Sequence, residues 1–182
     1  MAKLISKTYG EALYELAVEE NKVDVLLEEA SMVKEILISN NELEQFMNHP
    51  QITKDEKVNL IENSFKGRVL DELTGFLTII VERSRFSEVI EIFDYFIDAI
   101  KELKSIGTAY VTTPMVLDEI QKAIIVEKLL KTTKYEKMEM NYAIDASLIG
   151  GMVVRIGDRV VDSSIKSKLS ELTRDLQKIQ IN

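Results

Sequence analysis

Residues 144–172 read Ile144-Asp145-Ala146-Ser147-Leu148-Ile149-Gly150-Gly151-Met152-Val153-Val154-Arg155-Ile156-Gly157-Asp158-Arg159-Val160-Val161-Asp162-Ser163-Ser164-Ile165-Lys166-Ser167-Lys168-Leu169-Ser170-Glu171-Leu172. Two β-branched apolar runs, 152–156 and 159–161, are separated only by Gly157 and Asp158. Glycine first in a two-residue connection supplies positive φ without a Cβ clash, so the stretch predicts a hairpin with a type II′ turn. Asp162, Ser163 and Ser164 then offer side-chain oxygens to the free N–H groups of a following helix. Ile165, Leu169, Leu172, Leu176 and Ile179 recur every three or four residues, which gives that helix one apolar stripe. The expected order is loop, glycine pair, hairpin, capped helix.

Upstream of this stretch, residues 106–144 extend the same layer. Thr108–Thr113 is β-branched and aromatic and stops at Pro114. Asp118 opens a helix with Ile120, Ile124 and Leu129 or Leu130 on its face. Met138, Met140, Tyr142 and Ile144 alternate with polar or small residues as a strand does. The unit over 106–182 therefore reads strand, helix, strand, strand, strand, helix.

Residues 1–105 show no strand-like alternation. Six helical stripes follow one another, with capping-box signals at Asn41/Glu44 and Thr53/Glu56, a breaker at Pro50 and a C-terminal glycine at Gly67. Short connections make an antiparallel bundle the economical arrangement. The fifth stripe is apolar around most of its circumference, as for a helix buried on two sides or holding an open groove. Gly107 is expected to end the sixth helix. The fold class is thus multi-domain: an all-α N-terminal six-helix bundle, 1–105, followed by a small α/β domain, 106–182.

Charge divides at the same place. Residues 1–105 carry 12 Lys+Arg against 21 Asp+Glu, a balance of −9, and residues 106–182 carry 11 against 10, a balance of +1. A net charge of −8 disfavours general nucleic-acid binding. The absence of cysteine removes disulfides and thiolate metal sites. The N-terminus carries no secretory h-region, and no window approaches the roughly 20 apolar residues of a membrane span.

Catalytic constellations do not assemble. His49, the only histidine, has no second ligand in sequence and reads as a loop residue before Pro50. Gly150-Gly151 and Gly157 lead into strands with no following lysine, unlike a phosphate-binding loop, so turns and close backbone approach explain them better. Arg155 and Arg159 flank the hairpin turn and are expected near each other. They either grip a carboxylate-rich partner or are ordinary exposed residues. The rival function is a small α/β protein that binds nucleotide or nucleic acid through the glycine turns and this pair.

The stretch 144–172 also resembles the delta subunit of bacterial F-type ATP synthases, relatives of the mitochondrial oligomycin-sensitivity-conferring protein. The matching residues are Asp145, Leu148, Ile149, Gly150, Gly151, Arg155, Gly157, Asp158, Asp162 and Ser164. Ser163 stands where many members have glycine, and Arg85-Phe86 matches a further step. The resemblance implies a non-catalytic peripheral-stalk (stator) subunit without a cofactor, monomeric within the complex. It would lie on the cytoplasmic face of the bacterial cell membrane, without inserting, and serve proton-driven ATP synthesis by resisting rotor torque. It implies that the helical domain caps the F1 head and takes the N-terminal helix of an alpha subunit between its first and fifth helices. Carried onto this chain, that groove comprises Tyr9, Ala12, Leu13, Leu16, Leu73, Phe76, Leu77 and Ile80. The C-terminal domain would hold the b subunits, near Arg155, Arg159 and the final helix, with Gly150, Gly151, Gly157, Asp158 and Asp162 in partner-binding or structural roles.

Overall fold

The computed structural model describes the backbone of residues 2–179 and the side chains of residues 4–175. The chain divides into two compact units, Met1–Lys101 and Glu102–Asn182.

In the first unit six helices follow in order: α1 (Ala2–Glu19), α2 (Val23–Ser39), α3 (Asn41–Asn48), α4 (Lys54–Phe65), α5 (Asp71–Glu82) and α6 (Val89–Leu103), whose last residues pass into the second unit. Local chemistry sets their ends. Thr53 and Glu56 form the expected capping box at the start of α4. Gly67, just past α4, takes φ +75°, the left-handed conformation that glycine adopts without cost. The cap of α3 is Asn40, not Asn41. The Asn40 side chain accepts from the Leu43 N–H at 3.2 Å, and Asn41 is already helical. Before α6, Phe86 begins a 3-10 turn and is buried, while Arg85 is exposed.

The core of this unit is built from Leu13, Leu26, Leu73, Leu77, Phe93, Phe96 and Ile100, all inaccessible to solvent. α5 is its central helix. Leu73, Thr74, Phe76, Leu77, Ile80 and Val81 are buried, leaving Asp71, Gly75, Ile79 and Glu82 as the exposed edge. This accounts for the wide apolar circumference seen in sequence: it is core packing. Polar ties hold the helices in register. Lys22 pairs with Glu72, Lys34 with Asp94, and the Glu29 carboxylate accepts from the Leu70 N–H at 2.8 Å.

The second unit is a four-stranded sheet in the order β2-β1-β3-β4, with β1 (Ile106–Thr113), β2 (Lys137–Ile144), β3 (Val153–Ile156) and β4 (Arg159–Asp162). β1 and β2 are parallel, joined through α7 (Glu119–Thr132), and the other pairings are antiparallel. Asp118 and Gln121 form a capping box at the start of α7. The buried face of α7 is Ile125, with Leu129 packed beside it, and not Ile120 or Ile124, which are exposed. A phase shift of one residue, about 100° around the helix, separates the two readings. Gly107 does not end α6 either: Ser105, at φ +54°, does. Gly107 lies inside β1, where a Cβ would stand 2.5 Å from the Tyr135 ring. After the hairpin, α8 (Ile165–Ile179) exposes Ile165, Leu169 and Leu172. The side chains of Leu176 and Ile179, assigned to the same stripe from sequence, lie outside the described residues.

Candidate partner-binding surfaces

The register of the sheet decides which residues share a face. Directly paired residues point the same way. Met140, Ala109, Ile156 and Arg159 form one row on the α7 side, and Tyr142, Val111, Val154 and Val161 form the next. Asn141, Tyr110, Arg155 and Val160 form a row on the opposite face. Arg155 and Arg159 therefore stand on opposite sides of the sheet and cannot grip one carboxylate together. The two-residue turn makes this unavoidable: with Ile156 paired to Arg159, Arg155 pairs with Val160. Arg155 stacks over the Tyr110 ring at 4.5 Å, a cation–π contact.

The turn behaves as its residues require. Gly157 has φ +54°, and no atom lies within 4 Å of the place a Cβ would take. The glycine pair is under a tighter constraint. Gly151, at φ +75°, lies against the Ser163 carbonyl, and an added Cβ would overlap that oxygen and stand 3.1 Å from the Ser164 Cα. At Gly150 a Cβ would meet the Ile165 side chain at 2.6 Å. Hydrogen bonds close the seam from both sides: Ser163 N–H donates to Met152 O at 2.9 Å, Ser163 Oγ to the same oxygen at 2.8 Å, and Ile165 N–H to Gly150 O at 2.9 Å. Ser163 thus adds a hydroxyl contact at the seam.

Two aspartates complete the stretch. Asp145 caps the 3-10 turn Ala146–Leu148 through the Ser147 N–H at 2.9 Å. Asp162 accepts from the Ser167 hydroxyl at 2.6 Å and the Ser164 N–H at 2.8 Å, while the buried Ser164 Oγ accepts from Ser167 N–H at 3.2 Å. The Ser167 hydroxyl, followed by the Ser164 amide, holds the Asp162 carboxyl below the ordinary carboxylate range. Sequence reasoning missed one feature here. Ile149 sits at φ +67°, ψ −42°, with Gly150 N–H bonded back to Leu148 O at 2.7 Å: a positive-φ γ-turn at a β-branched residue. No pattern of residue types announces such a turn.

On the bundle, the residues predicted to form a groove separate into floor and flank. Leu13, Leu73, Leu77 and Ile80 are inaccessible in the free chain and Phe76 nearly so, so they belong to its core. Tyr9 and Leu16 are half-buried and Ala12 is exposed. With Ile5 they form a stripe at positions i, i+4, i+7 and i+11 along one flank of α1. Gly75 on α5 was not singled out in sequence. It is an exposed glycine in mid-helix with nothing within 4 Å of a Cβ position.

Among the described residues, no three His, Asp or Glu side chains cluster as metal ligands, and no helix is long and apolar enough to cross a membrane. His49 is engaged in its own loop: Nδ1 accepts from Gln51 N–H at 3.2 Å and its carbonyl accepts from the Lys57 ammonium at 2.9 Å.

The family model described as "ATP synthase delta (OSCP) subunit" matches residues 5–176. The chain belongs to the ATP synthase delta (OSCP) subunit family. It is 55% identical over 181 residues to ATP synthase subunit delta of Lachnoclostridium phytofermentans, covering 100% of both chains. It is 35% identical to the delta subunit of Desulforamulus reducens, covering 92% of each. A chain of the Toxoplasma gondii mitochondrial ATP synthase hexamer shares its fold at a TM-score of 0.76 and 19% identity, covering 94% of this chain and 97% of that one. This delta-family chain is a peripheral-stalk component of the F-type ATP synthase. The nucleotide- or nucleic-acid-binding reading is not favoured.

Two outcomes are expected of the delta-family stretch itself. Gly151→Ala pays both left-handed strain and a backbone overlap, and should destabilise the second unit by about 3 kcal/mol or more, against roughly 1 kcal/mol for Gly157→Ala, where only strain applies. Urea unfolding of the full chain, followed by amide exchange in β3 and β4, measures the difference. Because the Asp162 pKa is lowered in the folded state, its stabilisation is present above the unfolded carboxylate value near pH ~4 and is lost as pH falls through the folded value. Exchange protection at the start of α8 should therefore drop below about pH 4, and Asp162→Ala should remove that acid step.

Proposed function

We propose that this stalk subunit is a two-ended structural link without catalytic chemistry of its own. Its helical unit, residues 1–105, takes the N-terminal helix of an alpha subunit on the F1 head. Its α/β unit, residues 106–182, takes the ends of the membrane-anchored b subunits. Working on the cytoplasmic face of the membrane, one copy per complex resists the torque of the rotor so that rotation is spent on the catalytic head.

The observation that carries the head contact is the open notch at Gly75. A glycine in mid-helix costs about 1 kcal/mol relative to alanine. Among the described residues nothing lies within 4 Å of its Cβ position, so no internal contact there repays that cost. A partner backbone approaching closely does. The flank Tyr9, Ala12 and Leu16, with half-exposed Ile79, supplies the apolar contacts of a helix laid in a groove. Leu13, Leu73, Phe76, Leu77 and Ile80 then act as the floor beneath it.

The test separates binding from stability. Gly75→Gln should raise the melting temperature of the full chain, because a better helix former replaces glycine where there is room. The same change should weaken binding of an alpha N-terminal peptide at least tenfold in a calorimetric titration. Undiminished affinity would remove the notch from the interface.

A further inference from the structure

The step Arg85-Phe86 has no part in the α1 flank or in the notch at Gly75. Phe86 is buried at the start of its 3-10 turn, and two pits in the surface of the helical unit share it as a common wall. The first, about 190 Å³, is walled by Leu37, Ile38, Val89 and Ile90, with Glu44 beside them. The second, about 160 Å³, is lined by Met47 and Val81 together with Lys54 and Lys57. Both are smaller than the roughly 300 Å³ at which small-molecule sites begin, and each has room for one side chain.

The two pits carry opposite charge. Among the described residues, Glu44 is the one charged side chain lining the first, and Lys54 and Lys57 are those lining the second. No ion pair among the described residues neutralises any of the three. The lysines are nevertheless held in place: the Lys54 ammonium donates to the Glu82 carbonyl at 2.6 Å and the Lys57 ammonium to the His49 carbonyl at 2.9 Å. A carbonyl orients an ammonium without cancelling its charge, so two fixed cations face an incoming carboxylate with less rotamer freedom left to lose. Glu56 and Glu88, near in sequence, are engaged elsewhere, Glu56 in the cap of α4 and Glu88 with the Ser87 hydroxyl at 2.7 Å. Glu44 and Asn48, which line the two pits, stand one turn apart on α3, about 5 Å. An extended chain covers about that distance in two residues, and side chains two apart point the same way.

We infer that this crevice is a second contact with the F1 head, separate from the notch, and that it takes an extended segment carrying a Lys or Arg and an Asp or Glu two residues apart. The basic side chain lays its apolar stem along Leu37, Ile38 and Ile90 and sets its charge at Glu44. The acidic side chain enters beside Lys54 and Lys57, and Phe86 keeps the two pits apart. The charges also exclude a uniformly anionic occupant such as nucleic acid or a lipid surface, which would meet Glu44 on a chain of net charge −8. The inference rests on the stalk reading only in taking the F1 head as the source of the segment.

The experiment uses the full chain against two probes. One is the purified F1 head stripped of its delta subunit, with binding followed by biolayer interferometry. The other is an alpha N-terminal peptide, titrated by calorimetry, which reports the notch alone. Glu44→Lys and Lys57→Glu should each weaken head binding tenfold or more and leave peptide affinity within twofold. Melting curves that match wild type establish that the variants are folded. Because Lys57 braces the His49 loop, Lys57→Gln stands in for the charge reversal if that variant does not fold, and should weaken head binding at least threefold. If wild type binds both probes and the variants bind the head as tightly as it does, the crevice is not a contact and the stalk reading stands. If the folded variants lose the peptide as well, the crevice belongs to the notch and the second contact is wrong. If wild type binds neither probe, the stalk reading fails and the crevice loses its source with it.

Discussion

At Gly151 the chain entering β3 presses its backbone against the Ser163 carbonyl, at a distance no side chain tolerates. The geometry of the second unit follows from that contact. It brings the loop before the hairpin against the loop after it, so β3 and β4 start and finish at the same edge. It places Met152 O where Ser163 donates to it through both N–H and hydroxyl, and Gly150 O where Ile165 N–H reaches it. α8 is launched from this seam with its first turn already satisfied by Asp162 and Ser164. The glycines and small polar residues of the stretch hold a backbone junction, and this structural demand explains them without any phosphate or substrate.

The junction has a functional consequence. A hairpin pinned at its open end and closed by a two-residue turn has no freedom of register, so each side chain is committed to one face. Arg155 is spent on Tyr110, while Arg159 is presented beside Val161 on the α7 side of the sheet. A stalk subunit must transmit load without yielding, and a close-packed seam with paired polar groups suits that better than a mobile loop does. The strained γ-turn at Ile149 is held between Leu148, which is buried, and the glycine pair; the fold over-determines it.

Much of this was legible in the sequence, for identifiable reasons. Helical stripes and the capping residues Thr53 and Asp118 act locally, so residue types and spacing suffice to place α4 and α7. The hairpin was equally plain, because Gly157-Asp158 between β-branched runs admits few conformations. What escaped depends on contacts distant in sequence. Gly107 looked like a helix end, but its need is room for Tyr135, 28 residues on. The apolar face of α7 was phased wrongly because Ile124 and Ile125 are adjacent and only the sheet beneath selects between them. Leu73, Leu77 and Ile80 carry the same residue types whether they face a core or a groove, and burial alone distinguishes the two. The separation of Arg155 from Arg159 was in principle readable, since the predicted turn length already fixed their parity.

The central claim is mechanical: one chain with two attachment surfaces joins two bodies that do not otherwise hold together. Native mass spectrometry of F1 head, soluble b arms and this protein at equal concentrations tests it most directly. The account predicts a ternary assembly containing one copy of the chain, and no head–arm species when the chain is omitted. A head–arm complex that forms equally well without it would contradict the account.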